Sequence, residues 1–306
     1  MIMVKPSVQE IVESDILKKI EYIGRTCYKS EDLITEDSAV RFVKQLIDSK
    51  HYAMLEHAVF TYCLPIDLLY CDIEECRLPS RWYRVSLLTL EEAGADSEMR
   101  LIVSANLRSL IEGEGNIHAA MRTILAANHP EVDALIEGDY DYQLELLGYE
   151  ITNVSLLPER IRDLHSFKSF KFVTDRGVSH EFVRMRDSSI AQSSTRYCNY
   201  SKAKFGREVT YCEPANLDEW TNDQKLILKD SLQSAENSYM MGIDAGLVAQ
   251  QARAMLDNAT MTELVVTADE KEWHHIGDLR YSGTTGDPHP DMKALMDELV
   301  KVYPSL

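Results

Sequence analysis

Arg184, Arg186, Gln192, Ser193, Ser194, Thr195 and Arg196 crowd into thirteen residues of the stretch VRMRDSSIAQSSTRY. Guanidinium forks grip phosphate or carboxylate, while amides and hydroxyls read the polar edge of a ring. Glu181 lies three residues before Arg184, which puts the two on one face if a helix runs through both. Arg184 and Arg186 are two apart, so an ideal helix points them roughly 200° away from each other. That geometry predicts two ligands, one on each side, rather than one small anion clamped by both. Ser194 becomes a nucleophile only with a base to activate it, and no histidine is placed by sequence to do so. Hydrogen bonding to a substrate is its main reading.

The wider segment 175–207 holds seven basic residues against three acidic ones, in a chain of 32 basic and 50 acidic residues with net charge −18. A local basic patch in so acidic a protein points to a small-anion site. The plain alternative is a solvated loop whose arginines pair with surface carboxylates. The overall charge argues against a nucleic-acid surface or docking on anionic lipid. His51, Glu56 and His57 could ligate a metal, but they lack the i, i+4 histidine pair of a zinc helix, and no metal is expected. His274 and His275 are adjacent and face different sides of a helix. Cys71 and Cys76 stand without a second pair and read as ordinary thiols. Six cysteines in 306 residues are too sparse for a disulfide scaffold, which fits a reducing, cytoplasmic setting. The opening MIMVKPSVQE has no signal-like apolar core, and no apolar run reaches spanning length.

Helices and strands alternate around these residues. Apolar spacing predicts helices through Ile11, Ile16, Leu17, Ile20 and Ile23, and through Val40, Phe42, Val43, Leu46 and Ile47. AVFTYCL (58–64) reads as a strand after the short segment HYAMLEH (51–57). Residues 77–165 differ in texture, with EEAGADSE, EGEGN and a helical HAAMRTILAA, and read as an insertion in a single catalytic domain spanning 1–306. SFKSFKFV (166–173) alternates as a half-buried strand. A glycine turn and a helix follow it, with Ser179 as N-cap. A long helix near 222–246, a short helix in VAQQARAML, a strand TELVVT, and helices over 269–280 and 291–303 complete the chain.

RMRDSSIAQSS fits an Arg-His-Arg, seven residues, Ser pattern everywhere except at the histidine. With its flanks DRGVSHEFVR and STRYCNYSK, it resembles the signature of flavin-dependent thymidylate synthases, the ThyX family. HYAMLEH resembles that family's H-x-[ST]-x-x-E-H segment. ARAML and TELVVTADEKEWHHIGDLR resemble its C-terminal half, and RTCYKSE is similar to an upstream segment. The resemblance implies an α+β, ThyX-type fold with a central twisted β-sheet flanked by helices, assembled as a homotetramer with shared active sites. It implies reductive methylation of dUMP to dTMP with methylenetetrahydrofolate, NADPH and FAD. By position, Arg280 matches the arginine that polarises the pyrimidine and, with Ser194, forms the catalytic set. Glu181, Arg184, Gln192, Ser193, Ser194, Arg196 and Arg253 match substrate positions. His51, Glu56, Arg184, Met185, Arg186, Asp269 and His275 match flavin positions.

Three positions depart from the pattern: Met185 replaces its histidine, Ala53 stands for Ser or Thr, and Asp269 stands where some members have Asn. All three fall on the flavin side, while the substrate set is intact. A one-carbon transferase acting on another pyrimidine nucleotide, or a nucleotide-binding protein without catalysis, would also fit these residues.

Overall fold

The computed structural model describes residues 1–68, 83–89, 99–136 and 148–306; the Cys71/Cys76 pair and EEAGADSE lie outside them. Its strands are β1 (Ile2–Val4), β2 (Ser7–Glu10), β3 (Val59–Pro65), β4 (Tyr83–Thr89), β5 (Met99–Asn106), β6 (Tyr149–Glu150), β7 (Phe167–Asp175), β8 (Ser189–Gln192), β9 (Thr210–Cys212) and β10 (Met261–Asp269). The principal helices are α1 (Ile16–Tyr28), α2 (Ser38–Asp48), α3 (Asn116–Asn128), α4 (Glu159–His165), α5 (Arg176–Phe182), α6 (Asn222–Asp244), α7 (Glu270–Arg280) and α8 (Pro290–Val302). The protein is α+β.

The single central sheet expected from the sequence is replaced, among the described residues, by two four-stranded antiparallel sheets and one parallel pair, β1 with β9. One sheet has the order β2-β7-β10-β8 and carries the arginine-rich segment; the other has the order β4-β5-β3-β6. Residues 77–165 supply β4, β5 and β6, all joined to the earlier strand β3 directly or through β5. β3 is buried over Phe60–Leu64, so it reads as a continuous apolar run that needs neighbours on both edges.

Each sheet has its own core. Against β3 and β5 pack α1, α2 and α3, with Leu17, Ile20, Val43, Leu46 and Ile124 among the buried side chains. Against β7 and β10 pack α7 and α8, around Phe170, Phe172, Trp273, Met292 and Leu295. α1 touches both, because Ile23 and Cys27 lie with Ala191 of β8 and Val265 of β10. Ile11 falls outside α1; its N–H bonds the Ser169 carbonyl at 2.8 Å and extends the β2 edge. Asp15 starts the helix instead, accepting from the Lys18 N–H at 3.1 Å.

Two buried histidines fasten this arrangement. His57 Nδ1 meets the Thr267 hydroxyl of β10 at 2.7 Å, and the same hydroxyl bonds Ser169 of β7 at 2.7 Å. His165 lies between Ser104 and Ser86 at 2.7 and 2.9 Å. Burial holds His57 down to about 3 and His165 to about 4, with nearby Lys19 and Arg84 respectively adding to the effect. Both rings are therefore neutral when folded, whereas the unfolded chain takes up protons below the ordinary value of 6.5. Stability present above that value is lost as pH falls toward these lower pKa values. Urea unfolding midpoints are expected to drop between about pH 6.5 and 4, and His165→Asn to flatten that slope. A midpoint that holds steady over the range would rule out neutral buried imidazoles.

Candidate active site

β7 delivers the chain to the arginine-rich segment, and the local structure departs from the sequence expectation at both ends of α5. The N-cap is Asp175 rather than Ser179: its carboxylate accepts from the Val178 N–H at 2.8 Å, one turn earlier. Ser179 instead donates to the Arg176 carbonyl at 2.8 Å and accepts from Gln192 Nε2 at 2.9 Å. The helix ends at Phe182. Beyond it, Arg184 and Met185 donate back three residues, to Glu181 and Phe182, so the backbone tightens into successive turns. Met185 sits where the turn closes, its N–H on the Phe182 carbonyl at 2.9 Å. Its side chain is 7% exposed and joins Phe182, Val178 and Leu264 in the apolar core.

With Met185 driven inward, Arg184 and Arg186 stay exposed on its two sides. They do not point to opposite sides, as ideal helix geometry predicted, because the segment is not helical. Both line one cavity of about 520 Å³, together with Met185, Asp187, Glu272, His275, Leu279, Arg280 and Thr285. Among the described residues neither Arg184 nor Arg186 makes an ion pair, so the solvated loop of paired arginines is not what the chain builds.

α7 forms the opposite wall. Trp273 anchors it: its ring is fully buried against Phe170 at 4.9 Å, and its Nε1 donates to the Lys168 carbonyl at 3.2 Å. Around that anchor, Glu272, His275 and Arg280 turn to the cavity. Arg280 Nη1 donates to Glu181 Oε2 at 2.6 Å, while its Nε is buried with no partner among the described residues. A buried donor left without an acceptor is an exception in folded proteins. Burial raises the Glu272 carboxyl, opposed by His275. Asp269 caps α7 by accepting from the Glu272 N–H at 2.8 Å and pairs with Arg84 at 2.5 Å.

Five of the residues singled out in the sequence therefore meet in this cavity: Arg184, Met185, Arg186, His275 and Arg280. Glu181 reaches it through Arg280, and its own surface opens on a neighbouring cavity of about 310 Å³. The others stand elsewhere in the subunit. Gln192 closes β8, bonding Thr262 at 3.1 Å as well as Ser179. Ser193 sits against Thr262 at 3.0 Å and lines a third cavity. Ser194 accepts from the Arg196 N–H at 3.3 Å, and no imidazole bonds it among the described residues. Arg196, Arg253 and His51 are exposed. Glu56 pairs with Arg108 at 2.8 Å and accepts from Ser189 at 3.3 Å. Sequence reasoning missed Glu272, although it precedes His275 by one helical turn and that spacing was readable. It also missed Arg84, whose partner lies 185 residues away.

Replacing Met185 with histidine, the residue of the signature, places an imidazole in an apolar cluster without a partner. We expect Met185→His to lose about 1–3 kcal/mol of stability, read as a lower urea midpoint. An unchanged midpoint would show that the ring turns into the cavity instead.

The α+β fold thus turns a cavity lined by three arginines and two carboxylates outward between a strand-end segment and a helix. Residues 162–305 match the family model of the thymidylate synthase complementing protein. His51 and Glu56 fall outside the matched residues. A flavin-dependent thymidylate synthase of Geobacter sulfurreducens is 31% identical over 105 residues, covering 34% of this chain. The aligned part spans only 43% of that relative's length. A probable flavin-dependent thymidylate synthase of Paramecium bursaria Chlorella virus 1 is 22% identical over 154 residues, or 46% of this chain and 69% of the viral protein. Two structures of a UMP/dUMP methylase from Streptomyces cacaoi superpose with TM-scores of 0.37 and 0.40. The first, with 5-Br UMP, is 15% identical and covers 46% of this chain and 69% of that one. The second, with 5-Br dUMP, is 12% identical and covers 100% and 93%.

Proposed function

We propose that this chain is a flavin-dependent thymidylate synthase that methylates C5 of dUMP to give dTMP. One observation carries the reading: Arg184, Arg186 and Arg280 converge on one cavity, and the first two have no ion-pair partner among the described residues. The cavity walls suit an anionic, planar group. Guanidiniums supply charge and donors, and Met185 and Leu279 supply apolar surface. FAD, reduced by NADPH, would supply the hydride, and methylenetetrahydrofolate the carbon. Arg184, Met185, Arg186 and His275 would hold the flavin, with Arg184 also reaching the nucleotide.

A uracil ring becomes reactive at C5 when charge developing on its carbonyls is stabilised, which Arg280 is placed to do. Glu181 holds that guanidinium in place through the 2.6 Å contact. Ser194, Gln192, Ser193, Arg196 and Arg253 would bind the nucleotide by hydrogen bonds and charge. Ser194 serves there as a donor rather than a nucleophile, since no base accompanies it. These groups stand outside the cavity of their own subunit, which favours a homotetramer in which a neighbouring copy brings them to it. Cys27, Cys198 and Cys212 are buried free thiols, which supports a reducing cytoplasmic setting. No helix among the described residues is long and apolar enough to cross a membrane.

The test is release of tritium from C5-labelled dUMP by the purified protein with methylenetetrahydrofolate, NADPH and FAD. Release together with dTMP, identified by its mass, establishes the reaction. Release only from labelled dCMP would move the assignment to another pyrimidine nucleotide. A colourless protein with no saturable FAD signal would remove it.

A further inference from the structure

Arg84 lies on β4, in the sheet outside the family-matched residues, yet it reaches the site. Its Nε donates to Asp269 Oδ2 at 2.5 Å, with the two side chains 11% and 2% exposed. Its Nη2 donates to the Asp187 carbonyl at 3.2 Å, and its Nη1 to its neighbour Tyr83 at 3.2 Å. Asp187 follows Arg186 on one wall of the cavity, while Asp269 caps α7, which forms the other. One guanidinium thus bonds both walls.

The chemistry of position 269 sharpens this. Asn caps a helix about as well as Asp, so capping alone needs no charge there. A carboxylate with 2% exposure requires a counter-ion, and only a group reaching in from β4 is paired with it among the described residues. Asp269 therefore carries no unbalanced charge toward a bound anion. Arg is also suited to the double task, because its planar fork serves two acceptors at fixed angles, which an ammonium does not.

We propose that Arg84 is a positioning residue: with Asp269 it clamps the 184–187 turn to the start of α7 and so sets the width of the anion cavity. The identity of the ligand rests on the function proposed above; the clamp itself does not.

Hydrogen exchange on the full-length protein tests it. Arg84→Met is expected to speed exchange in peptides covering 184–188 and 269–275, and to weaken FAD binding, titrated by fluorescence, by about tenfold. Adding Asp269→Asn to Arg84→Met removes the stranded carboxylate. Protection then returns to 269–275 but not to 184–188, which still lacks its tether. If Arg84→Met folds poorly, Arg84→Lys keeps the charge and loses the second arm, so exchange rises at 184–188 alone. The clamp is overturned if 184–188 exchanges as in the parent protein in either single variant. It is overturned equally if exchange rises uniformly across both sheets, as for a merely structural residue. A protein that shows the exchange pattern but never binds FAD would retain the clamp and lose the proposed function. One that methylates dUMP with both peptides unmoved by Arg84→Met would do the reverse.

Discussion

Arg280→Met is expected to lower turnover of dUMP by about a hundredfold to a thousandfold, with little change in fold. Methionine keeps the length and apolar stem of the side chain and deletes the donors. The guanidinium is set in advance: Nη1 is held on Glu181 at 2.6 Å, which fixes the group at the cavity wall before charge develops on the substrate. The stability loss is small because Glu181 remains partly exposed and solvated, and an arginine in the last turn of α7 contributes only about 0.3–1 kcal/mol to the helix. Tritium release gives the turnover, and calorimetry gives dUMP binding. Turnover within threefold of the parent protein, by the scale of a lost transition-state donor, would take Arg280 out of the reaction. Mixing inactive Arg280→Met subunits with inactive Arg196→Ala subunits is expected to restore part of the activity, since shared sites then include some with both arginines. No restoration would place both groups in sites made by single subunits.

The largest stability effect is expected at Trp273. Its ring is fully buried, edge-on to Phe170 at 4.9 Å and near Phe172 at 6.3 Å, with its N–H on the Lys168 carbonyl. Trp273→Ala leaves a large apolar void and an unpaired carbonyl, and should cost about 3–5 kcal/mol. Because the residue sits between Glu272 and His275 on α7, loss of the anchor also loosens the cavity wall. FAD affinity is expected to fall in parallel, even though Trp273 is absent from the lining. Trp273→Phe keeps a ring in the slot and should lose much less. Urea unfolding and FAD titration on both variants separate the outcomes. A stable Trp273→Ala with intact binding would mean that α7 is held by its cap and by Arg280 alone.

The elements that make this site were readable because their signals are local. SFKSFKFV (166–173), TELVVT (262–267) and the helix over 269–280 each declare themselves by residue pattern, and the structure places strands at Phe167–Asp175 and Met261–Asp269 and a helix at Glu270–Arg280. α5 was misjudged by one turn because Asp175 and Ser179 are both good caps, and only the tertiary contact of Ser179 with Gln192 decides between them. The fate of Met185 was hidden for a related reason. Sequence shows a methionine between two arginines, but not that a core needs one there, nor that filling it would turn both arginines to the same cavity. Of the second sheet only the strand at 58–64 was read, and its partners were hidden because the pairing is long-range: Val59 to Pro65 aligns with Asn106 to Arg100 in a register set by burial, not by a short turn. Arg84 belongs to that sheet, so its bond to Asp269 could not be foreseen either.

The packing of α1 bears on how the chain is made. Ile23 and Cys27 complete their apolar cluster only with Ala191 and Val265. At about 5–20 residues per second, a ribosome adds Val265 some tens of seconds after Ile23 emerges. Through that interval one side of an early helix waits for a strand not yet synthesised. Chaperone occupancy on nascent chains is expected to persist over α1 until β10 has left the exit tunnel. Ribosome profiling of chaperone-bound chains would record release there, and release soon after α1 alone would show that the N-terminal sheet shelters the helix by itself.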